Sequence, residues 1–499
     1  MSLFLIFKII LFVMFYYLGL ACIINAIANK NNKSLADLDD PLGLKIFSNS
    51  FSSYFYILFN QHKKLAATIA ILPCVYILVD NLFYMLMMHI SKNYEDFKFF
   101  YAVGLSAYKN INPYFGVPDP SNLGYNLNFP YLPNTLPFLM PFGFMDIDTA
   151  FIVCRVIGVI TISLFCLGVN RLLKNYKKNY KSLSKIAIIV SLSILGLTFD
   201  VALGNISSIT ITFIIWFVVY LKENRQVPAS IFLALSTIKP TLCIFLFIFL
   251  LIKKRFRIFL YSVGLSLMLI ALGLLLAKIN PFNLSDIHLN FIEPWRNAIN
   301  TNIDGNSHGS QYISMSRIDI GVVGARLTRE KSLATIAFLI SCILKVSLVT
   351  FITWKIISFK KQNKNLIKQS KSTGLHDLSD IIFFREVSLV VLLTVAFNYS
   401  QNTNNSILIL PFLFLIIHKL YSYEFGDLNN KFSWNLAMFC IMIHTGISYG
   451  FFGHLYGYND NYLQSITIGF LPNIAIVMLI ICIAFMRFPK NYAPIQADR

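Results

Sequence analysis

Apolar runs long enough to cross a bilayer recur from Leu3 to Met486, most of them separated by short polar breaks. A helix needs about 20 such residues to span about 30 Å of hydrocarbon. Within that layer every backbone polar group must find its partner inside the structure, which leaves helices as the form for continuous apolar runs of this length. The charged fraction is 13%, against about 25% in soluble domains. A soluble enzyme is excluded.

The candidate spanning helices are Leu3 to Ala28, Ala66 to Met88, Thr149 to Arg171, Ser184 to Ala202, Ser207 to Lys222, Arg257 to Ala277, Leu333 to Ile357, Ile382 to Phe397, Ser406 to Leu420, Trp434 to Phe451 and Ile466 to Met486. The first is longer than a signal-peptide core and has no convincing small-residue cleavage site after it, so it is expected to be retained. Lys45 to Gln61 mixes aromatic and polar residues and suits either a helix in the interface or an ordinary linker. These features divide the chain into residues 1–65, an extra helix with its linker, and residues 66–499, the main membrane domain.

A net charge of +19 raises the possibility of nucleic acid. The surplus, however, sits in short loops between apolar runs, as the positive-inside rule describes, so no nucleic-acid partner is expected. Arg171, Lys174, Lys177, Lys178, Lys181 and Lys185 crowd one loop, and Lys355, Lys360, Lys361, Lys364, Lys368 and Lys371 crowd another. Both loops are expected to be cytoplasmic. Residues 89–148 and 278–331, nearly balanced in charge, then become two large outer loops.

Pro228 to Ile252 lies between two basic turns, Lys222 to Arg225 and Lys253 to Arg257, and is interrupted by Lys239-Pro240. Proline removes a helix hydrogen bond and clashes with the preceding turn. The segment is expected to be a re-entrant or broken helix. All eight cysteines fall in apolar segments, which indicates neither a disulfide framework nor a zinc site.

The polar residues richest in implication open the first outer loop. Asp96 stands just after the second span at the start of an aromatic-rich stretch, Tyr94 to Phe115, followed by Asn128 to Met145. A carboxylate there can accept a proton from an attacking hydroxyl, or it can simply cap a helix. Arg296, His308, Arg317 and Arg326 in the second outer loop suit phosphate, or they pair with Asp304, Asp319 or headgroups. Lys239, ionisable within an apolar stretch, is either functional or snorkels to the inner headgroups. Arg155, Asp80, Asp200, Trp295 and Tyr312 are explained equally by helix pairing and interface anchoring.

The order Asp96-Phe97, Tyr101-Ala102, Asn112-Pro113-Tyr114 and then Phe129, Tyr131 and Pro133 resembles glycosyltransferase family 87. Gly204-Asn205 resembles that family's Gly-Gln turn, Ala234 to Pro240 its Lys-Pro helix break, and Asn306 to Ser316 its Asn-x-x-Ser loop. The resemblance extends from about Asp96 to Pro411. It implies an all-α, polytopic GT-C-like bundle of about eleven transmembrane helices plus one re-entrant or broken helix. It also implies inverting transfer of a hexose or pentose from a polyprenyl-phosphate sugar to a lipid or glycan acceptor, without nucleotide, cofactor or obligatory metal.

In that picture Asp96 activates the acceptor, and Lys239, Arg296, His308, Arg317, Asn404 and Asn405 serve the donor phosphate or sugar. Tyr101, Asn112 and Tyr131 position the acceptor or the loop. The enzyme would face the exterior of a bacterial cytoplasmic membrane, with membrane lipids around it. One departure stands out: Gln401 to Asn405 is a cluster of amides where the family often has a Ser-Pro-x-x-Trp segment followed by histidine. Amides can donate to phosphate or sugar hydroxyls but carry no charge. The competing readings are a flippase or transporter of lipid-linked glycans, and a glycan polymerase or ligase. Transporters commonly show paired inverted halves with corresponding breaks, and the single break here has no matching half.

Overall fold

A computed structural model describes residues 95–118, 126, 127, 129, 131–174, 180–193, 197–297, 334–362, 376–397, 406–424 and 462–486, with scattered residues between 75 and 90 and between 433 and 441. The expected first span, Leu3 to Ala28, the linker Lys45 to Gln61, and His308, Arg317, Asn404 and Asn405 lie outside the described residues.

The described chain is almost wholly helical. Helix α1 covers Glu95–Tyr108, α2 Ile147–Leu173, α3 Tyr180–Ser193, α4 Leu197–Leu203, α5 Ser207–Lys222, α6 Gln226–Ser236, α7 Ile244–Ile252 and α8 Phe256–Leu276. Helix α9, Leu284–Ile287, continues as a π-helical turn over His288–Ile292; α10 covers Ala334–Gln362, α11 His376–Phe397, α12 Ile409–Glu424 and α13 Tyr462–Phe485. One departure from expectation is visible. The stretch expected as one span, Ser184 to Ala202, is helical in two pieces, α3 and α4. The first outer loop also contains a two-residue antiparallel ribbon, β1 Val117–Pro118 with β2 Asn126–Leu127, which leaves the described chain in the all-α class. Pro118 has no N–H to give a ladder and is tolerated because the ribbon has only edges.

Among the described residues three helices are long and apolar enough to cross a bilayer, namely α2, α8 and the stretch Cys342–Phe359 of α10. Apolar helices of this length make the chain a membrane protein. Their faces separate as a lipid solvent requires. On α2, Phe151, Gly158, Phe165, Gly168, Val169 and Leu172 are buried, whereas Ile152, Val156, Val159, Ile160, Leu164 and Leu167 are exposed. The buried set recurs at spacings of three, four or seven residues, those of one helix face.

Charge gives the bundle two different ends. At one of them Arg171, closing α2, grips Glu223 with Nε at 2.6 Å and Nη2 at 2.7 Å. Lys222, closing α5, pairs with Asp380 at 2.8 Å, and Lys253, just past α7, pairs with Glu386 at 2.5 Å. Arg385 donates to the Ile483 and Ala484 carbonyls at 3.0 and 2.7 Å. Those are among the last carbonyls of α13, which have no partner within their own helix and carry the negative end of its dipole. The basic turns around Lys222 and Lys253 thus share one end, as the sequence reading requires.

Helices α6 and α7 resolve the interrupted segment. Helix α6 starts beside Arg225 at the basic end and runs antiparallel to α5; the chain breaks at Thr237 to Lys239, makes a 3-10 turn over Pro240–Leu242, and α7 returns to Lys253. Both arms begin and end at the basic end. The break is the tip of a helical hairpin at the opposite end.

Candidate functional site

The end remote from the basic turns is closed by an aromatic cap. Its core is Phe97, Phe100, Tyr101, Val103, Tyr114, Phe129, Leu136, Leu139 and Phe151, all buried, distinct from the larger apolar core between the helices. Phe97 meets Phe142 edge to face at 5.5 Å and Phe151 at 5.2 Å. Tyr131 lies 5.6 Å from Phe100 and 5.7 Å from Phe129. Such pairs add to plain area burial, so the first turns of α1 are held by rings on several sides.

Asp96 is the second residue of α1, directly before the fully buried Phe97. Phe97 rests on the turn between α4 and α5, where Gly204 adopts a φ of +69°. That turn continues into Asn205, whose Oδ1 accepts from the Ser207 amide at 2.9 Å and from Ser207 Oγ at 2.6 Å. Lys239 Nζ, at the tip of the hairpin, donates to Ser207 Oγ at 2.5 Å. The chain Lys239, Ser207, Asn205 therefore ends on the turn that carries Phe97. Lys239 is 9% exposed and lies at the end opposite the basic turns. The reason is local: α5 begins at Ser207, and its far end, Lys222, is the one among the basic turns.

The first outer loop is fastened to the same tip. Asn134 Nδ2 donates to Thr237 Oγ1 at 2.8 Å, and Thr135 Oγ1 donates to the Ile238 carbonyl at 3.2 Å. Both side chains are fully buried. Helix α8 passes so close that a Cβ on Gly273 would stand 1.8 Å from the Pro133 carbonyl oxygen.

Asn112 ties the two outer loops together. Its Oδ1 accepts from the Tyr114 amide at 3.0 Å, capping the 3-10 turn Pro113–Phe115, and its Nδ2 donates to the Asn290 carbonyl at 2.9 Å. Tyr114 packs against Phe291 at 4.9 Å and donates its hydroxyl to the Tyr131 carbonyl at 3.2 Å. Trp295 packs on Phe291. Arg296 is exposed one residue beyond it.

Tyr101 donates its hydroxyl to the Met145 carbonyl at 3.0 Å. Burial, reinforced by the negative charge of Asp146, pushes this phenol above its ordinary pKa, and burial holds Tyr114 well above its own. Both remain neutral donors. Asp146 caps α2 by accepting from the Thr149 amide at 3.0 Å, and that bond lowers its pKa. Asp286 accepts from the Asn280 amide at 2.5 Å and from the Asn290 side chain, and is lowered by both.

The residues brought together are thus Asp96 by its position on α1, Tyr101, Asn112, Tyr131 and Lys239. Sequence reasoning missed Asn134, Ser207 and Thr237, which fix the Lys239 tip. An available signal was the Asn205-x-Ser207 spacing at the start of an apolar helix, which is the pattern of a side chain bonding the backbone two residues on.

Residues 129–375 match the model of glycosyltransferase family 87. That stretch, just under half of the chain, is similar to family 87. The matched stretch takes in Tyr131, Asn134, the Gly204-Asn205 turn, Lys239 and Arg296, while Asp96 and the amide cluster Gln401 to Asn405 fall on either side of it. It is narrower than the span from Asp96 to Pro411 expected from the motifs. The match to family 87 supports glycosyltransferase activity and hence a sugar donor and an acceptor. Neither a curated protein nor a solved structure matches the chain.

Proposed function

We propose that this chain is an inverting, polyprenyl-phosphate-sugar-dependent glycosyltransferase of the GT-C type. It moves a hexose or pentose to a lipid or glycan acceptor at the outer face of a bacterial cytoplasmic membrane. The observation that carries the reading is the family 87 match over residues 129–375. The arrangement of the cap is consistent with it: both outer loops, the hairpin tip with Lys239 and the start of α1 meet at the end remote from the basic turns. By the positive-inside rule that end faces outward.

In this reading Asp96 accepts the proton of the acceptor hydroxyl as its oxygen bonds the anomeric carbon. The bond from that carbon to the donor phosphate breaks in the same displacement, and the configuration inverts. The departing phosphate needs cationic or hydrogen-bonding groups around it, and Lys239, Arg296, His308 and Arg317 are the candidates, with Asn404 and Asn405 supplying amides to the sugar. The proposal requires no nucleotide or resident metal.

The test is transfer of radiolabelled sugar from polyprenyl-phosphate donors into a lipid extract by the purified protein, beside Asp96→Asn. Transfer by the wild type and its loss in Asp96→Asn, with both equally folded, is the expected result. Full transfer by Asp96→Asn would remove Asp96 from the chemistry. Absence of transfer with any donor, together with movement of lipid-linked glycan across liposomes, would replace the transferase by a flippase.

A further inference from the structure

Arg155 is the only charged residue between Asp148 and Arg171, so it stands alone within the apolar length of α2. Its guanidinium lies 4.2 Å from the centroid of the Phe151 ring, and Nη1 donates to the Met85 carbonyl at 2.8 Å. Nε and Nη2 are covered and have no hydrogen-bond partner among the described residues. Two charge-bearing donors withdrawn from water without an acceptor are costly. An ionisable group inside a span is by default a mark of function.

Its depth and direction can both be read. Arg171 fixes the basic end of α2, and sixteen residues at 1.5 Å each put Arg155 about 24 Å further along the axis. In a hydrocarbon layer about 30 Å thick, that is close to the opposite boundary, within the reach of a lipid headgroup. Ile152, Val156 and Val159, its neighbours on α2, are exposed on the surface that faces lipid. On its other side Phe151 packs at 5.2 Å against Phe97, the residue after Asp96. Arg155 thus stands between the bilayer and the start of α1.

A planar guanidinium with two donors to spare matches two oxygens of a phosphate better than any neutral acceptor does. The geometry points to Arg155 as the anchor for the phosphate of a membrane lipid that reaches the cap sideways, from the bilayer, along the face of α2 next to Met85. The lipid is assigned to the donor class, a polyprenyl phosphate, because the anchor adjoins Phe151 and Phe97 beneath the proposed base. This assignment deepens the proposed function and rests on it; a resident phospholipid would offer the same phosphate chemistry.

The experiment measures binding without turnover. The purified full chain in phosphatidylcholine nanodiscs is titrated with sugar-free polyprenyl phosphate and, separately, with phosphatidylglycerol, for wild type, Arg155→Gln, Arg155→Lys and Asp96→Asn. The expected result is selective binding of polyprenyl phosphate, weakened about tenfold or more in Arg155→Gln, as loss of a charge-assisted pair implies. Arg155→Lys, which keeps the charge and guards against a folding defect, falls between, and Asp96→Asn binds as wild type. Unchanged affinity in both Arg155 variants overturns the site. Equal binding of phosphatidylglycerol overturns the donor assignment and gives the site to a resident phospholipid. Arg155-dependent binding in a protein that transfers no sugar would leave this site standing while the transferase reading fails.

Discussion

Gly204 and Phe97 occupy a space that one more carbon would overfill: a Cβ on Gly204 would stand 2.7 Å from the Cβ of Phe97. The glycine is also in the left-handed region, with φ +69°. Two independent reasons therefore exclude a side chain where the α4–α5 turn supports α1. Gly204→Ala is expected to cost about 1–3 kcal/mol from backbone conformation alone, with further loss from the displaced ring. Because Phe97 is next to Asp96, transferase activity should fall more than the amount of folded protein does. Thermal midpoints in detergent, set beside activity per folded molecule, check this; activity that merely tracks folded protein would show that the turn does not position α1.

Asn134 and Thr237 form a second joint, between the first outer loop and the hairpin tip. Both side chains are largely buried; removing the Thr237 hydroxyl leaves the Asn134 amide without its acceptor, whereas Thr237 keeps its own bond to the Ala234 carbonyl at 2.6 Å. Thr237→Val alone is expected to destabilise by about 1–3 kcal/mol, the cost of an unsatisfied buried group, and Asn134→Ala to lose about 0.5–1.5 kcal/mol with the bond it removes. The double variant should cost less than the sum, with a coupling of about 0.5–3 kcal/mol. Strict additivity in a double-mutant cycle would mean that the bond contributes nothing to holding the tip.

How much of this was legible in the sequence depends on which physical signal each feature carries. Apolar run length placed α2, α5, α8, α10, α11, α12 and α13 to within a few residues at most ends, because the lipid solvent demands that length. Lysine and arginine placement marked the shared end of Lys222 and Lys253 for the same reason. The interruption at Lys239-Pro240 was legible from proline chemistry, but its depth was not. The bonds from Lys239 to Ser207 and from Asn134 to Thr237 put it at the cap, and contacts between residues 32 and 103 apart in sequence leave no local trace. The divided stretch Ser184 to Ala202 was missed because its hydropathy is continuous. Asn134 and Thr237 were missed because an isolated amide and hydroxyl look like ordinary loop residues until the fold brings them together. Arg155 was visible as an anomaly, and its two unpartnered donors were not.

Glu386 and Lys253 make a pair in which the carboxylate is buried, with a side-chain exposure of 2%, and the ammonium is a quarter exposed. Such a pair contributes less than its Coulomb energy suggests, since both groups lose water. Lys253→Met, which takes the ammonium away from a buried carboxylate, is expected to be the worse single change, at up to about 3–5 kcal/mol. Lys253→Met with Glu386→Leu should recover most of that loss. Thermal unfolding of the two single variants and the double separates this from a pair that stabilises outright, for which the double would be as unstable as the worse single.

Asp146 gives the cap a dependence on acid. Its carboxyl is held below its ordinary value by the bond from the Thr149 amide, and Asp286 is held down likewise by the Asn280 amide and the Asn290 side chain. A carboxyl whose pKa is lower folded than unfolded contributes stability that is fully present above the unfolded value of about 3.9. That contribution is lost as the pH falls through the folded value. The cap is therefore expected to be insensitive to pH between about 5 and 8 on account of these two groups and to weaken below about 4. Asp146→Asn keeps a good N-cap for α2 but cannot titrate, so its thermal midpoint should start near the wild-type value at pH 7 and fall less steeply toward pH 3. Parallel slopes for the two proteins would assign the acid lability to groups elsewhere in the chain.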